Sequence, residues 1–150
     1  MIPLMRAWTS AAAFVIAFAY AGGMPRNGYA ATKPGDSPYA ERLGELVNQY
    51  RQQRGARPLQ VDSALSALAR EHSVAMAKAG RLSHDEFPSR VRRSGYRVCV
   101  ENVGWNYHTS EAQFDGWRRS PEHDRNLLDA RVTRMGIGVA SNYVTFIACQ

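Results

Sequence analysis

Glu101 and Asn102 interrupt a stretch that otherwise suits a buried strand, R-V-C-V-E-N-V-G-W over residues 97–105, and the search for chemistry starts there. A carboxylate on a half-buried strand is costly unless it is paired, and histidines or backbone donors from adjoining elements are its natural partners. Four histidines are available, His72, His84, His108 and His123, with Glu71, Glu86 and Glu122 as further acids. The spacings H-E-x-x-H, C-x-x-C and H-x-H are absent, so local spacing does not announce a metal site. No serine sits in a nucleophile elbow, and no glycine-rich loop could cradle a phosphate. His72 shares an apolar stripe with Ala69 and Met76 and reads as a core histidine, whereas His108, in N-Y-H-T-S, reads as exposed. Asp85 either orients His84 through a ring nitrogen or caps the following turn.

The elements that must position these residues follow from periodicity and punctuation. Leu43, Leu46, Val47 and Tyr50 recur at helical spacing after Pro38, and the stretch from Arg54 to Pro58 ends that helix. Leu59-Gln60-Val61 is a short extended link. Asp62 suits the N-cap of a second helix whose Leu65, Leu68, Ala69, His72, Met76 and Ala77 share a face, with Gly80 as its stop. Residues 88–94 read as a short helix closed by Gly95, and residues 96–105, with Val98, Val100 and Val103, as a strand. Ser110 is placed to cap a helix bearing Ala112, Phe114 and Trp117. Ser120-Pro121-Glu122-His123 opens a further helical turn. Two strand-like runs, 135–140 and 143–149, meet at Ser141-Asn142 in a tight hairpin. Trp105, Trp117 and Tyr143 read as core. This order predicts an α+β fold with an antiparallel sheet covered by helices.

The 150 residues suit one domain. Residues 1–30 carry Arg6 and Arg26, no acid, and an apolar run of eleven at 11–21. That is short of the roughly 20 residues a bilayer span needs. The pattern is that of a cleaved signal peptide, with an uncleaved anchor or a displaced start codon as the alternative. Residues 31–38 form a short polar tether and 39–150 the domain. Cleavage leaves no transmembrane anchor and a secreted or periplasmic protein. Outside the cytoplasm Cys99 and Cys149 are free to pair, the alternative being two buried thiols. The formal charge is +6, or +4 once the two leader arginines are removed (17 Lys and Arg against 13 Asp and Glu). Export argues against nucleic acid as the partner despite that charge. Arg90, Arg92, Arg93 and Arg97, with Arg118, Arg119 and Arg125, either build one cationic surface for anionic envelope polymers or form a solvated face.

Several motifs in order resemble a known family. They are L-x-x-x-A-x-x-H-S-x-x-M-A (65–77), G-R-L-S-H-D (80–85), Gly95-Tyr96, Glu101-Asn102, W-x-x-S-P-E-H-D-x-N-L-L (117–128) and G-I-G-V-A (136–140), with Asn48 and Tyr50-Arg51 in the first helix. Together they resemble the bacterial branch of the CAP superfamily, the cysteine-rich secretory protein, antigen 5 and pathogenesis-related type 1 proteins, also called SCP domains. The resemblance covers residues 39–150.

It implies a single-domain α-β-α sandwich with a small antiparallel sheet between helical layers, and a cleft where the family gathers two histidines and two acids. His84, Glu101 and His123 match three of the four. The second acid's position holds Ser120, Glu122 stands where relatives have glycine, and Val100 replaces the glycine before E-N. His84, Glu101 and His123 could hold zinc or another divalent cation with one position open. Equally, they could form a hydrogen-bonded cluster in which Glu101 accepts from both imidazoles. Two functions follow. One is a binding module acting on envelope lipid, glycan or a protein partner; the other is a metal-dependent hydrolase of peptidase or esterase type using the same cleft. Sterol binding transfers poorly, because the loop at 106–109 is too short for a lipid-gripping flap.

Overall fold

The computed structural model describes residues 37–150. The expected signal peptide (1–30) and nearly all of the tether lie outside the described residues. The first helix, α1 (Pro38–Gln53), begins on its proline and leads to a two-residue strand β1 (Gln60–Val61). Helix α2 (Ser63–Ala79) starts where Asp62 accepts from the amides of Ala64 and Leu65, and it stops at Gly80, whose φ of 67° is left-handed. Next come α3 (Phe87–Ser94), β2 (Cys99–Trp105), α4 (Ser110–Arg119), α5 (Pro121–Leu127), β3 (Arg134–Ala140) and β4 (Tyr143–Cys149).

The sheet runs β1-β3-β4-β2. The three long strands are antiparallel, as the sequence implies, and β1 adds a parallel edge beside β3, pairing Gln60 with Arg134 and Val61 with Met135. A two-residue pairing is too short to show a period. Strand β2 begins at Cys99, three residues later than expected, because the amides of Arg97 and Val98 both donate to the Gln150 carbonyl outside the regular ladder. The cap of α4 is Thr109, which accepts from Ala112; Ser110, one residue inside, donates to the Tyr39 carbonyl.

Helical layers cover both faces. On one, Leu65, Leu68 and Ala69 pack on Ile147 and Cys149, and Met76 meets Val103 and Tyr143. On the other, Leu43, Val47, Trp117 and Leu127 pack on Val100, Val144, Phe146 and Ala148. Strand β4 is therefore buried along its whole length. Helix α2 lies so close to β3 that a Cβ on Gly138 would stand 2.0 Å from the Arg70 amide nitrogen, and one on Gly136 would stand 2.2 Å from the Leu65 carbonyl carbon. The G-I-G motif is thus a requirement of helix-on-sheet contact. Trp117 is core and its indole N–H donates to the Val103 carbonyl, as a buried indole requires. Trp105 departs from the expectation: it ends the edge strand, is 50% exposed, and rests against Tyr143.

Cys99 and Cys149 form a disulfide between directly opposed residues of β2 and β4. The bridge spans 50 residues of chain, worth about 4 kcal/mol if it acts only on unfolded-chain entropy. It pins β2, an edge strand, two residues before Glu101.

Candidate functional site

Alternation along β2 turns Glu101 to the same face as Val103, the face covered by α2. Its side chain is 1% exposed. Charge this deeply buried needs compensation, and Arg90 of α3 supplies it. The guanidinium Nε donates to Oε2 and Nη2 to Oε1, both at 2.7 Å, in a bidentate pair. His84 Nδ1 adds a hydrogen bond to Oε1 at 2.9 Å. Burial alone would raise the Glu101 carboxyl, but the bonds from His84 and Arg90, with the guanidinium's charge, hold it below the usual carboxylate range. An ionised carboxylate only accepts, so Nδ1 of His84 carries the proton. Nε2 is left as the free ring nitrogen of a side chain that is 53% exposed.

The loop bearing His84 is tied down twice more. Arg90 Nη1 donates to the Asp85 carbonyl at 2.6 Å, and His72 Nε2 bonds the Ser83 carbonyl at 2.8 Å. His72 is the buried histidine expected from its helical stripe, with its pKa pushed down chiefly by burial. It also lies 4.0 Å from Glu101 Oε1, so it belongs to the same cluster. Asp85 fills neither expected role: its carboxylate pairs with Arg81.

Helix α5 packs along the free edge of β2. Asn126 Nδ2 donates to the Glu101 carbonyl and to Asn102 Oδ1, and Asn102 Nδ2 returns a bond to the His123 carbonyl at 3.1 Å. Tyr50 holds the same helix through Asp124 at 2.8 Å. The E-N doublet therefore divides its work, with Glu101 ordering the His84 loop and Asn102 anchoring the His123 helix. His123 itself is half-buried. Burial and then the neighbouring His84 charge push its pKa down, against a weaker upward pull from Glu122. No hydrogen bond joins His123 to Glu101; the expected double acceptance from two imidazoles is replaced by His84 and Arg90. Ser120 is the half-buried N-cap residue of α5, without a side-chain capping bond, and Glu122 is exposed. Among the described residues, no group of three or more His, Cys, Asp or Glu side chains is placed to hold a metal ion.

Three of the seven arginines considered for a cationic surface are engaged by carboxylates. Arg90 is buried in the Glu101 pair, Arg93 is bound by Glu71, and Arg118 by Asp115. A cavity of about 420 Å³ lies between α2, the His84 loop and α3, lined by Leu68, His72, Met76, Ser83 and Arg90 among others. It shares His72 and Arg90 with the cluster but is not lined by His84, Glu101 or His123. Arg90 is the residue that sequence reasoning misplaced. The signal was present: Phe87, Arg90, Val91 and Ser94 fall on one helical stripe, which turns that arginine inward while Arg92 and Arg93 face out.

The description of the cysteine-rich secretory protein family, CAP, matches residues 45–150. The chain belongs to this family. A relative, protein YkwD of Bacillus subtilis, itself uncharacterized, is 31% identical over 109 residues, covering 68% of this chain and 42% of its own length. An extracellular SCP-domain protein of Bacillus anthracis superposes with a TM-score of 0.71 at 24% identity, covering 75% of this chain and 40% of that one. An outer surface protein of Borrelia burgdorferi gives 0.68 at 15% identity, over 73% of this chain and 90% of its own. These two likenesses establish the shared fold. The CAP chain described here spans less than half the length of the B. subtilis relative. Among its described residues, no helix is long and apolar enough to cross a membrane.

Proposed function

We propose that this CAP domain is an extracytoplasmic binding module, and that the surface around His84 and His123 takes up an envelope lipid, glycan or protein partner. The observation that carries the reading is the fixed imidazole of His84. Its Nδ1 is committed to a buried carboxylate and its loop is pinned through Ser83 and Asp85, so the exposed ring edge is presented in one orientation. Such preorganisation lowers the entropic cost of recognition. An extracytoplasmic setting is supported by the disulfide and by the extracellular and outer-surface descriptions of two fold relatives.

The test is retention of residues 31–150 on three separate envelope fractions: purified peptidoglycan, anionic phospholipid vesicles and solubilised envelope protein. We expect one fraction to retain the wild type and to lose His84→Ala and His123→Ala. Retention of none, or equal retention of all variants, would overturn the reading. Turnover of peptide, ester or peptidoglycan substrates, abolished by the same substitutions, would put the hydrolase reading ahead.

A further inference from the structure

The donor set of this CAP cleft does not fit a divalent cation held by His84, Glu101 and His123. Both Glu101 oxygens lie 2.7 Å from guanidinium nitrogens, and Oε1 also accepts from His84 Nδ1. A metal on that carboxylate would face the full positive charge of Arg90 at contact distance. Three of the carboxylate's roughly four acceptor sites are also taken, two by the fork and one by His84, which leaves a single site on Oε2. The guanidinium cannot withdraw cheaply: Arg90 is buried, and its third nitrogen is held by the Asp85 carbonyl. Nor can it deprotonate.

We infer that Arg90 takes the place of a metal cation in this cleft: it is the permanent counter-charge of Glu101, and Glu101 is a positioning residue for His84 rather than a ligand. His84 is then backed by an internally neutralised ion pair. A ligand meets the free Nε2 of His84 with the Glu101 charge already neutralised, so a cation there gains no ligand from the carboxylate. This inference does not depend on which envelope component binds, and it fails or survives apart from that reading.

Two measurements on the same domain decide it. In the wild type, nitrogen-15 NMR of His84 should show a protonated Nδ1 bonded to the carboxylate, and zinc added alone should bind more weakly than about 1 µM, far from a structural zinc site. A bare Nδ1, or one tight stoichiometric zinc, would overturn the inference. In Arg90→Gln, calorimetric zinc titration below the variant's melting temperature should show affinity raised by about 10-fold or more, because a full positive charge at contact distance from the carboxylate is removed. A folded Arg90→Gln with unchanged zinc affinity would also refute it. If that variant does not fold, the two wild-type readouts still decide.

Discussion

Removing one half of the Arg90–Glu101 pair should be far worse than removing both. The two side chains are 6% and 1% exposed and exchange two charge-assisted bonds of 2.7 Å. Arg90→Met leaves a buried carboxylate with only its His84 bond, and Glu101→Met leaves a buried guanidinium with only the Asp85 carbonyl. Stranding one charge of a buried pair costs about 3–5 kcal/mol, whereas replacing both by apolar groups is often near neutral. Each single variant should therefore lose about 3–5 kcal/mol, and additivity would put the double variant at about 6–10. We expect Arg90→Met/Glu101→Met instead to be no less stable than either single variant. For a domain of this size, each kcal/mol corresponds to about 4 °C, so the single variants should melt about 12–20 °C below the wild type. Urea unfolding followed by circular dichroism, with the disulfide intact, gives the four free energies. Additive losses, or single losses below about 1 kcal/mol, would mean that the pair is solvated in solution and does not govern His84.

Other consequences are accessible to the same assay. Gly138→Ala places a methyl group against the α2 backbone at Arg70, which has no side-chain freedom to yield; we expect a loss of about 1–3 kcal/mol or more, and a loss below half a unit would contradict the close approach. Cys99→Ala/Cys149→Ala should lower stability by up to about 4 kcal/mol through the 50-residue closure, with unchanged unfolding midpoints as the refuting result. The pH dependence has a definite sign. His72 and His123 are held below their ordinary value of 6.5 and Glu101 below its ordinary 4.5, so the unfolded chain takes up protons that the folded chain refuses. Stability should be full above about pH 6.5, decline as the histidines protonate in the unfolded state, and fall again below 4.5 as Glu101 follows. An equal or higher urea midpoint at pH 5 than at pH 7.5 would contradict this.

Much of this molecule was legible before any coordinates. Helix stripes, the Asp62 cap, the Gly80 and Gly95 stops and the Ser141-Asn142 hairpin are local matters, decided by backbone preference and by apolar spacing within one element. The ordered motifs were enough to assign the CAP family. They also marked Glu101 as a buried carboxylate in need of partners, because its neighbours on the strand are apolar. What the chain could not reveal on its own was which partners arrive. Arg90, eleven residues away on another element, looked like one of a run of surface arginines; its helical stripe turns it inward, but only the seating of α3 against α2 brought it to Glu101, while His123 is tied through its backbone instead. The fourth strand of the sheet and the exposure of Trp105 were settled in the same way. Pairing of charges and coverage of an edge depend on distances between elements, and those are set by how whole helical layers seat on the sheet, not by the pattern within any one segment.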